Sequence, residues 1–336
     1  MTPNLTTTKG SLLMIALWLI AVLVVVAVAL SGYLSTDTRL MRYTLARAQA
    51  RAWARSGVYL ALQRLAAGLT PPNAKEYDWL GDEWAAPWDQ SLPASAAGQS
   101  MMDGQVTIQM IDEERKLDVN AASTPQLMAL GLPDDVAQEI IDAREADNPP
   151  DPAEDQPSLL PPYYAKDASF RALEELFQLP AVQAHGDEKL LRLLLQTTIY
   201  TQGKINVNTA SAEVLKAVKP TVNPTLIQTF VERRGMGSDQ QIGTADDCLR
   251  TNNPNSLVQL EQCLVTSTQD VTNLVSGLAF QSSVFRIVVT GKLQAPAARY
   301  QLDVIVRRGS SGQTLSAGST LQVFGHSFEI LSWKEG

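Results

Sequence analysis

Apolar and polar positions along this 336-residue chain fall into three successive patterns. The first is an uncharged apolar run from Leu12 to Leu30. At about 1.5 Å per helical residue it crosses most of a hydrocarbon core about 30 Å thick. A secretory signal would have a shorter apolar core and a small-residue cleavage site after it, and no such break follows. Residues 33–67 contain no Pro and only Gly57, and Ala, Leu and Arg dominate them. These good helix formers predict one helix from Ser11 to about Ala67. In its polar half Ala46, Ala50, Trp53, Gly57 and Ala61 recur at spacings of three and four. That places a narrow small-residue stripe on one face, suited to close approach by another helix.

The second pattern is mixed. Residues 70–99 are rich in Pro, Trp and Asp without a period and predict an irregular covering segment. Gly104 to Asp112 alternates Val106, Ile108 and Met110 with polar neighbours, as a half-buried strand does. An internal repeat follows: Lys116-Leu117-Asp118-Val119-Asn120-Ala121-Ala122-Ser123 is echoed by Lys204-Ile205-Asn206-Val207-Asn208-Thr209-Ala210-Ser211. Each copy leads into an amphipathic helix, carrying Leu127 and Leu130 or Leu215 and Val218. A second helix then ends in Ile140-Ile141-Asp142-Ala143-Arg144 or Phe230-Val231-Glu232-Arg233-Arg234. Ser123 or Thr124, followed by Pro125, and Ser211, followed by Glu213, suit helix amino ends. The paired Asn side chains suit backbone hydrogen bonds in the loops entering the helices. Pro149 to Pro162 predicts an exposed loop, and Phe170 to Leu179 and Glu188 to Gln196 predict short helices.

Strands return in the third pattern. Val284 to Leu293 and Arg299 to Arg308 predict an antiparallel hairpin, with Tyr300, Leu302, Val304 and Val306 on the face that covers a helix. Thr320 to Phe324 and Phe328 to Trp333 extend it. The expected fold class is α+β: an N-terminal transmembrane and stalk helix on an antiparallel sheet, with a large all-α insertion. The divisions are 1–10, 11–67, 68–119, 120–280 and 281–336.

Charge divides the chain unevenly. Residues 1–64 hold seven Lys and Arg against Asp37 alone, which leaves the remainder near −14 within an overall −8. Arg47, Arg51 and Arg55 share one side of the stalk, as a solvated face or a surface for acidic partners or lipid headgroups. Arg39 and Arg42 just beyond the apolar run would by the positive-inside tendency favour a cytoplasmic head. The two helix pairs also resemble helix-hairpin-helix units of DNA-binding proteins. Such units need Gly-rich hairpins and cations against phosphate. The first hairpin, Gly131-Leu132-Pro133, is followed by Asp134 and Asp135, and the second, from Lys219 to Pro224, has no Gly. Nucleic acid is not an expected partner. With only His185 and His326, no nucleophile elbow, no phosphate loop and no zinc-protease pair, catalysis is not expected either.

The leader ending in Lys9-Gly10 before the apolar helix resembles that of type IV pilins and pseudopilins. The succession of Ser56 to Leu62, Asp112 to Leu117, Lys204 to Asn208 and Ser283 to Arg286 around a helical insertion resembles the K-type minor pseudopilins of type II secretion. The resemblance implies a cut by prepilin peptidase between Gly10 and Ser11, methylation of the new amino terminus, and Ile15 at the fifth mature position. Most members place Glu there, and K-type subunits typically lack it. It further implies an inner-membrane anchor with a periplasmic head at the pseudopilus tip, helping to start assembly. The implied partners are I-type and J-type minor pseudopilins and the major pseudopilin. A type IV pilus minor pilin is the nearest alternative within the class. In that oxidising compartment Cys248 and Cys263 are expected to form a local bridge stiffening a loop-rich stretch with little core. K-type pseudopilins bind calcium, and Asp239, Asp246, Asp247 and Glu261 are the expected ligands in the acid-rich stretch around the bridge.

Overall fold

The computed structural model describes residues 8–69, 75–92, 104–145, 168–186, 188–235, 247–253, 255–294, 297–309 and 320–336. The apolar run and the Ala, Leu and Arg stretch form one uninterrupted helix, α1 (Thr8–Ala67). It is long and apolar enough to cross a membrane, and residues 13–45 stand free of the rest of the fold. From Ala46 onward α1 lies across a six-stranded antiparallel sheet of β1 (Trp88–Leu92), β2 (Gly104–Asp112), β5 (Val284–Gln294), β6 (Ala297–Arg308), β7 (Thr320–Val323) and β8 (His326–Glu335). The spatial order is β1-β2-β5-β6-β8-β7.

The alternating strand residues meet the helix as their pattern requires. Val106, Ile108 and Met110 of β2, Phe285, Ile287 and Val289 of β5, and Leu302, Val304 and Val306 of β6 share one core with Ala50, Trp53, Val58 and Leu62. Helix and sheet approach closely because glycines sit at the crossing. A Cβ on Gly57 would stand 2.5 Å from Val289 Cγ1 and 2.7 Å from Val106 Cγ1, and one on Gly291 would stand 2.3 Å from the Ala50 carbonyl oxygen. The stripe of Ala46, Ala50, Trp53, Gly57 and Ala61 is therefore consumed within the chain. It does admit close approach, but by this chain's own sheet and not by another helix. Spacing specifies a flat face; the strands more than 40 residues on supply the surface that covers it.

Trp88–Leu92, inside the stretch expected to be irregular, is an edge strand. Its central residues Asp89, Gln90 and Ser91 carry no apolar alternation, and pairing with β2 holds them, aided by a 2.7 Å hydrogen bond from Thr107 Oγ1 to Asp89 Oδ1.

Between β2 and β5 the chain builds α2 (Thr124–Leu130), α3 (Asp134–Arg144), α4 (Pro180–His185), α5 (Glu188–Leu194), α6 (Ala212–Val218), α7 (Pro224–Arg233), α8 (Ser256–Leu264) and α9 (Thr268–Val275) around a second core. The stretch Phe170 to Leu179, expected to be helical, holds a 3-10 turn (Leu173–Gln178) that runs straight into α4. Both copies of the sequence repeat fold alike. In the first, β3 (Leu117–Asp118) pairs in parallel with β4 (Thr197–Thr198); in the second, Asn206 bridges Ala279 in the same sense. Among the described residues each copy is thus an extended lead, four helices and an extended close. The two leading helices, α2 and α6, pack on each other.

Gly57→Val should force α1 off β2 and β5. The expected loss is about 1–3 kcal/mol, the usual scale for overpacking, measured by urea unfolding of the head. Unchanged stability would contradict the close crossing.

Candidate functional site

The repeat motif does structural work in both copies. Asn120 Nδ2 donates to Phe170 O at 2.9 Å and its Oδ1 accepts from Phe170 N at 2.8 Å. Asn208 grips Arg250 in the same two-way manner at 2.7 and 2.9 Å. The arginine near the end of each second helix closes the lead: Arg144 Nη1 donates to Val119 O at 2.5 Å, and Arg234 Nη1 to Val207 O at 3.0 Å. Burial, with Arg115 nearby, pulls the Arg234 guanidinium down to about 10. At the first hairpin Gly131 has φ 105° and closes α2, while Asp134 and Asp135 occupy the start of α3. His185 Nε2 lies 2.8 Å from Asp135 Oδ2. Acids stand where a phosphate-binding hairpin needs open backbone N–H groups.

Polar pairs around buried carboxylates cluster where the insertion leaves and rejoins the sheet. Asp78 pairs with Arg308 at 2.6 Å, Glu113 with Lys116 at 2.6 Å, and Glu114 with Lys204 at 3.0 Å. Asn206 N donates to Glu114 O at 2.8 Å, so the second lead is hydrogen-bonded to the turn that ends β2.

At the other end of the sheet the carboxyl terminus is latched to the stalk. Arg51 and Arg55 both reach Glu335, which also accepts from Tyr300 Oη at 2.6 Å and Trp333 Nε1 at 3.1 Å. The hydrogen bond from Tyr300, then those from Trp333 and Arg55, hold the Glu335 carboxyl down at about 2. The contribution of this latch is present above the ordinary Glu range and is lost as pH falls toward about 2. The expected arginine face is therefore divided: Arg51 and Arg55 serve the chain itself, and Arg47 is exposed. The face of α1 turned away from the sheet carries Leu34, Met41, Leu45, Ala48, Ala52, Ser56 and Tyr59, all exposed and uncharged.

Gly10 and Ser11 lie in the first turns of α1, and Ile15 is on its exposed apolar part. Cys248 and Cys263 are bonded, with Cα atoms 5.9 Å apart. The stretch around them, expected to be loop-rich with little core, holds two helices. Cys263 sits on α8, whose Leu260 and Leu264 are buried, and Ser267 accepts from Asp270 N at 3.2 Å to begin α9. Polar residues that look like loop in sequence are in part helix caps.

Of the four expected metal ligands, Asp239 and Asp246 lie outside the described residues. Asp247 is buried near enough to Tyr77 to help raise that phenol, after the larger effect of burial. Glu261 Oε2 accepts from Thr268 Oγ1 at 2.8 Å. These two acids serve different neighbours, and no group of three metal-ligating side chains occurs among the described residues.

No protein-family model and no curated protein sequence matches the chain. Its structure does match a solved one. A chain of the crystal structure of the GspK-GspI-GspJ complex from the type 2 secretion system of enterotoxigenic Escherichia coli superposes with a TM-score of 0.55 at 16% identity. The match covers 89% of this chain and 99% of that one. The fold is that of a K-type minor pseudopilin: a long apolar helix, an antiparallel sheet and a helical insertion.

Cys248→Ser with Cys263→Ser should lower stability by on the order of 3 kcal/mol, the chain-entropy value for closing a loop of this length, read from thermal unfolding with and without reductant. An equal Tm for variant and parent would show that the helical packing alone holds α8. Glu335→Gln should expose the carboxyl-terminal strand to limited proteolysis, while a truly idle surface carboxylate would leave the digest unchanged.

Proposed function

We propose that this protein is a minor pseudopilin of type II secretion that sits at the tip of a periplasmic pseudopilus and helps to start its assembly. The observation that carries this reading is the duplicated helical domain set between two neighbouring strands of the head, in a fold that accounts for nearly all of the matched chain. The apolar part of α1 anchors it in the inner membrane, prepilin peptidase cuts after Gly10, and the head lies in the periplasm. The insertion makes the head too bulky for a further subunit to stack above it. Ile15 removes the carboxylate that would offset a neighbour's buried terminal ammonium group. Both favour a terminal place, with the major pseudopilin below.

The neighbour's crystal structure holds it in complex with GspI and GspJ, which supports I-type and J-type minor pseudopilins as partners here. Because the Ala46 to Ala61 stripe is used internally, the partner helices meet the opposite face, along Met41, Leu45, Ala48, Ala52 and Tyr59. The role is structural and not enzymatic. Calcium is proposed for the acid-rich stretch of Asp239, Asp246, Asp247 and Glu261. It predicts a rise in Tm that a chelator reverses and that Asp246→Ala weakens.

Mass spectrometry of the membrane-extracted protein should find Ser11 at the amino terminus only when prepilin peptidase is present; an uncut Met1 would remove the protein from the class. The head should form a one-to-one-to-one complex with the two smaller subunits, and long homopolymers would refute a tip position. Ala48→Arg with Ala52→Arg should abolish that complex while leaving the head folded, since neither side chain faces the sheet. Salt-sensitive binding to duplex DNA would instead favour the helix-hairpin-helix reading.

A further inference from the structure

Among the described residues four carboxylates are buried where the insertion joins the sheet: Asp78 from the segment after α1, and Asp112, Glu113 and Glu114 at the end of β2. Three of them have cations, namely Arg308 of β6, Lys116 and Lys204. The fourth, Asp112, is fully buried and bonded among the described residues only to neutral groups. Its Oδ1 accepts from Glu114 N at 2.8 Å, and its Oδ2 is 2.6 Å from Ser282 Oγ, 2.5 Å from Thr209 Oγ1 and 3.5 Å from Asn206 Nδ2.

These partners come from the two places where the insertion is tied to the sheet. Thr209 and Asn206 belong to the lead of the second repeat, and Ser282 stands where the chain returns to β5. The site also has a use for a proton. A neutral Asp112 can donate from Oδ2 to Thr209 Oγ1, which in turn lies 3.4 Å from Asn206 O. Ser282 Oγ is held separately by Asn206 Nδ2 at 2.7 Å.

We propose that the Asp112 carboxyl is a proton-operated latch between sheet and insertion: neutral, it pins Thr209 and Ser282 to the end of β2; ionised, it sets an uncompensated charge in the joint and loosens it. The charges around it favour the neutral form. Glu114 is the nearest repelling group, Asp78 and Glu113 add to the acid count, and Arg308, Lys116 and Lys204 are each committed to another carboxylate. Arg115 of the same turn and Arg234 at the end of α7 lie near each other and repel. Burial, reinforced by Glu114, raises the Asp112 carboxyl to about 7, outweighing the hydrogen bonds from Ser282, Thr209 and the Glu114 amide, which favour the charged form. An acid raised on closing contributes stability that is fully present below its open-state value and is lost as pH rises through its closed-state value. The window therefore runs from about 4 to about 7.

The test is hydrogen exchange of the full chain in detergent, across that window, normalised to the intrinsic amide rate. Protection of residues 204–209 and 282–286 should fall by up to about tenfold per pH unit and level off above about 7, and Asp112→Asn, a neutral isostere, should remove the slope. A slope retained in Asp112→Asn, or absent in the parent, overturns the latch. Should Asp112→Asn not fold, carboxyl carbon chemical shifts in the parent decide the matter. Titration of Asp112 near neutrality supports the proposal, and an Asp112 already ionised at pH 5 refutes it. The proposal rests on the joint alone and stands or falls independently of a role in secretion.

Discussion

The architecture of the head depends on how closely α1 lies against the sheet. At Gly57 and Gly291 the helix and β5 approach until a single added carbon would collide. That proximity lets small residues bury the full width of three strands beneath one helix. It also decides which side of the stalk is left for other molecules. A helix held by Ala and Gly on one side offers Met, Leu, Ala and Tyr on the other, and Arg51 and Arg55 at its margin are drawn onto Glu335. The arrangement joins one long helix directly to the sheet of the head.

The insertion repeats one solution twice. In each copy an Asn side chain takes the place of a neighbouring strand by bonding both N–H and C=O of a distant residue, and an arginine from the second helix caps the carbonyl just before it. Such two-way amide bonds satisfy backbone groups that burial would otherwise leave unpaired. This explains why the leads, only a few residues long, keep their shape between helices.

Much of this was legible in sequence. The period-two pattern placed β2, β5 and β6, the unbroken run placed α1, and the echo of Lys116–Ser123 in Lys204–Ser211 disclosed the duplication. The departures from the sequence pattern have a common physical origin. A stripe such as Ala46 to Ala61 records that something comes close without naming it. An edge strand such as Trp88–Leu92 is held by its neighbour and not by its own alternation. The caps of α8 and α9 read as loop because Asn, Ser and Thr favour both settings. The joint leaves the faintest trace in sequence, because Asp112, Glu113 and Glu114 are three adjacent acids and only the fold brings Arg308, Lys204 and Ser282 around them.

One feature of the sheet bears on how such a head could arise. Asp112 of β2 is directly opposite Phe285 of β5, so the whole helical unit occupies the position of a hairpin loop. The entropy of closing a loop grows only with the logarithm of its length, about 0.6 kcal/mol per doubling. To the ladder between β2 and β5, a folded domain at this point is little different from a short turn. A compact ancestral head could therefore have taken on a second folded body, and later its duplicate, without altering a single hydrogen bond of the sheet that carries it.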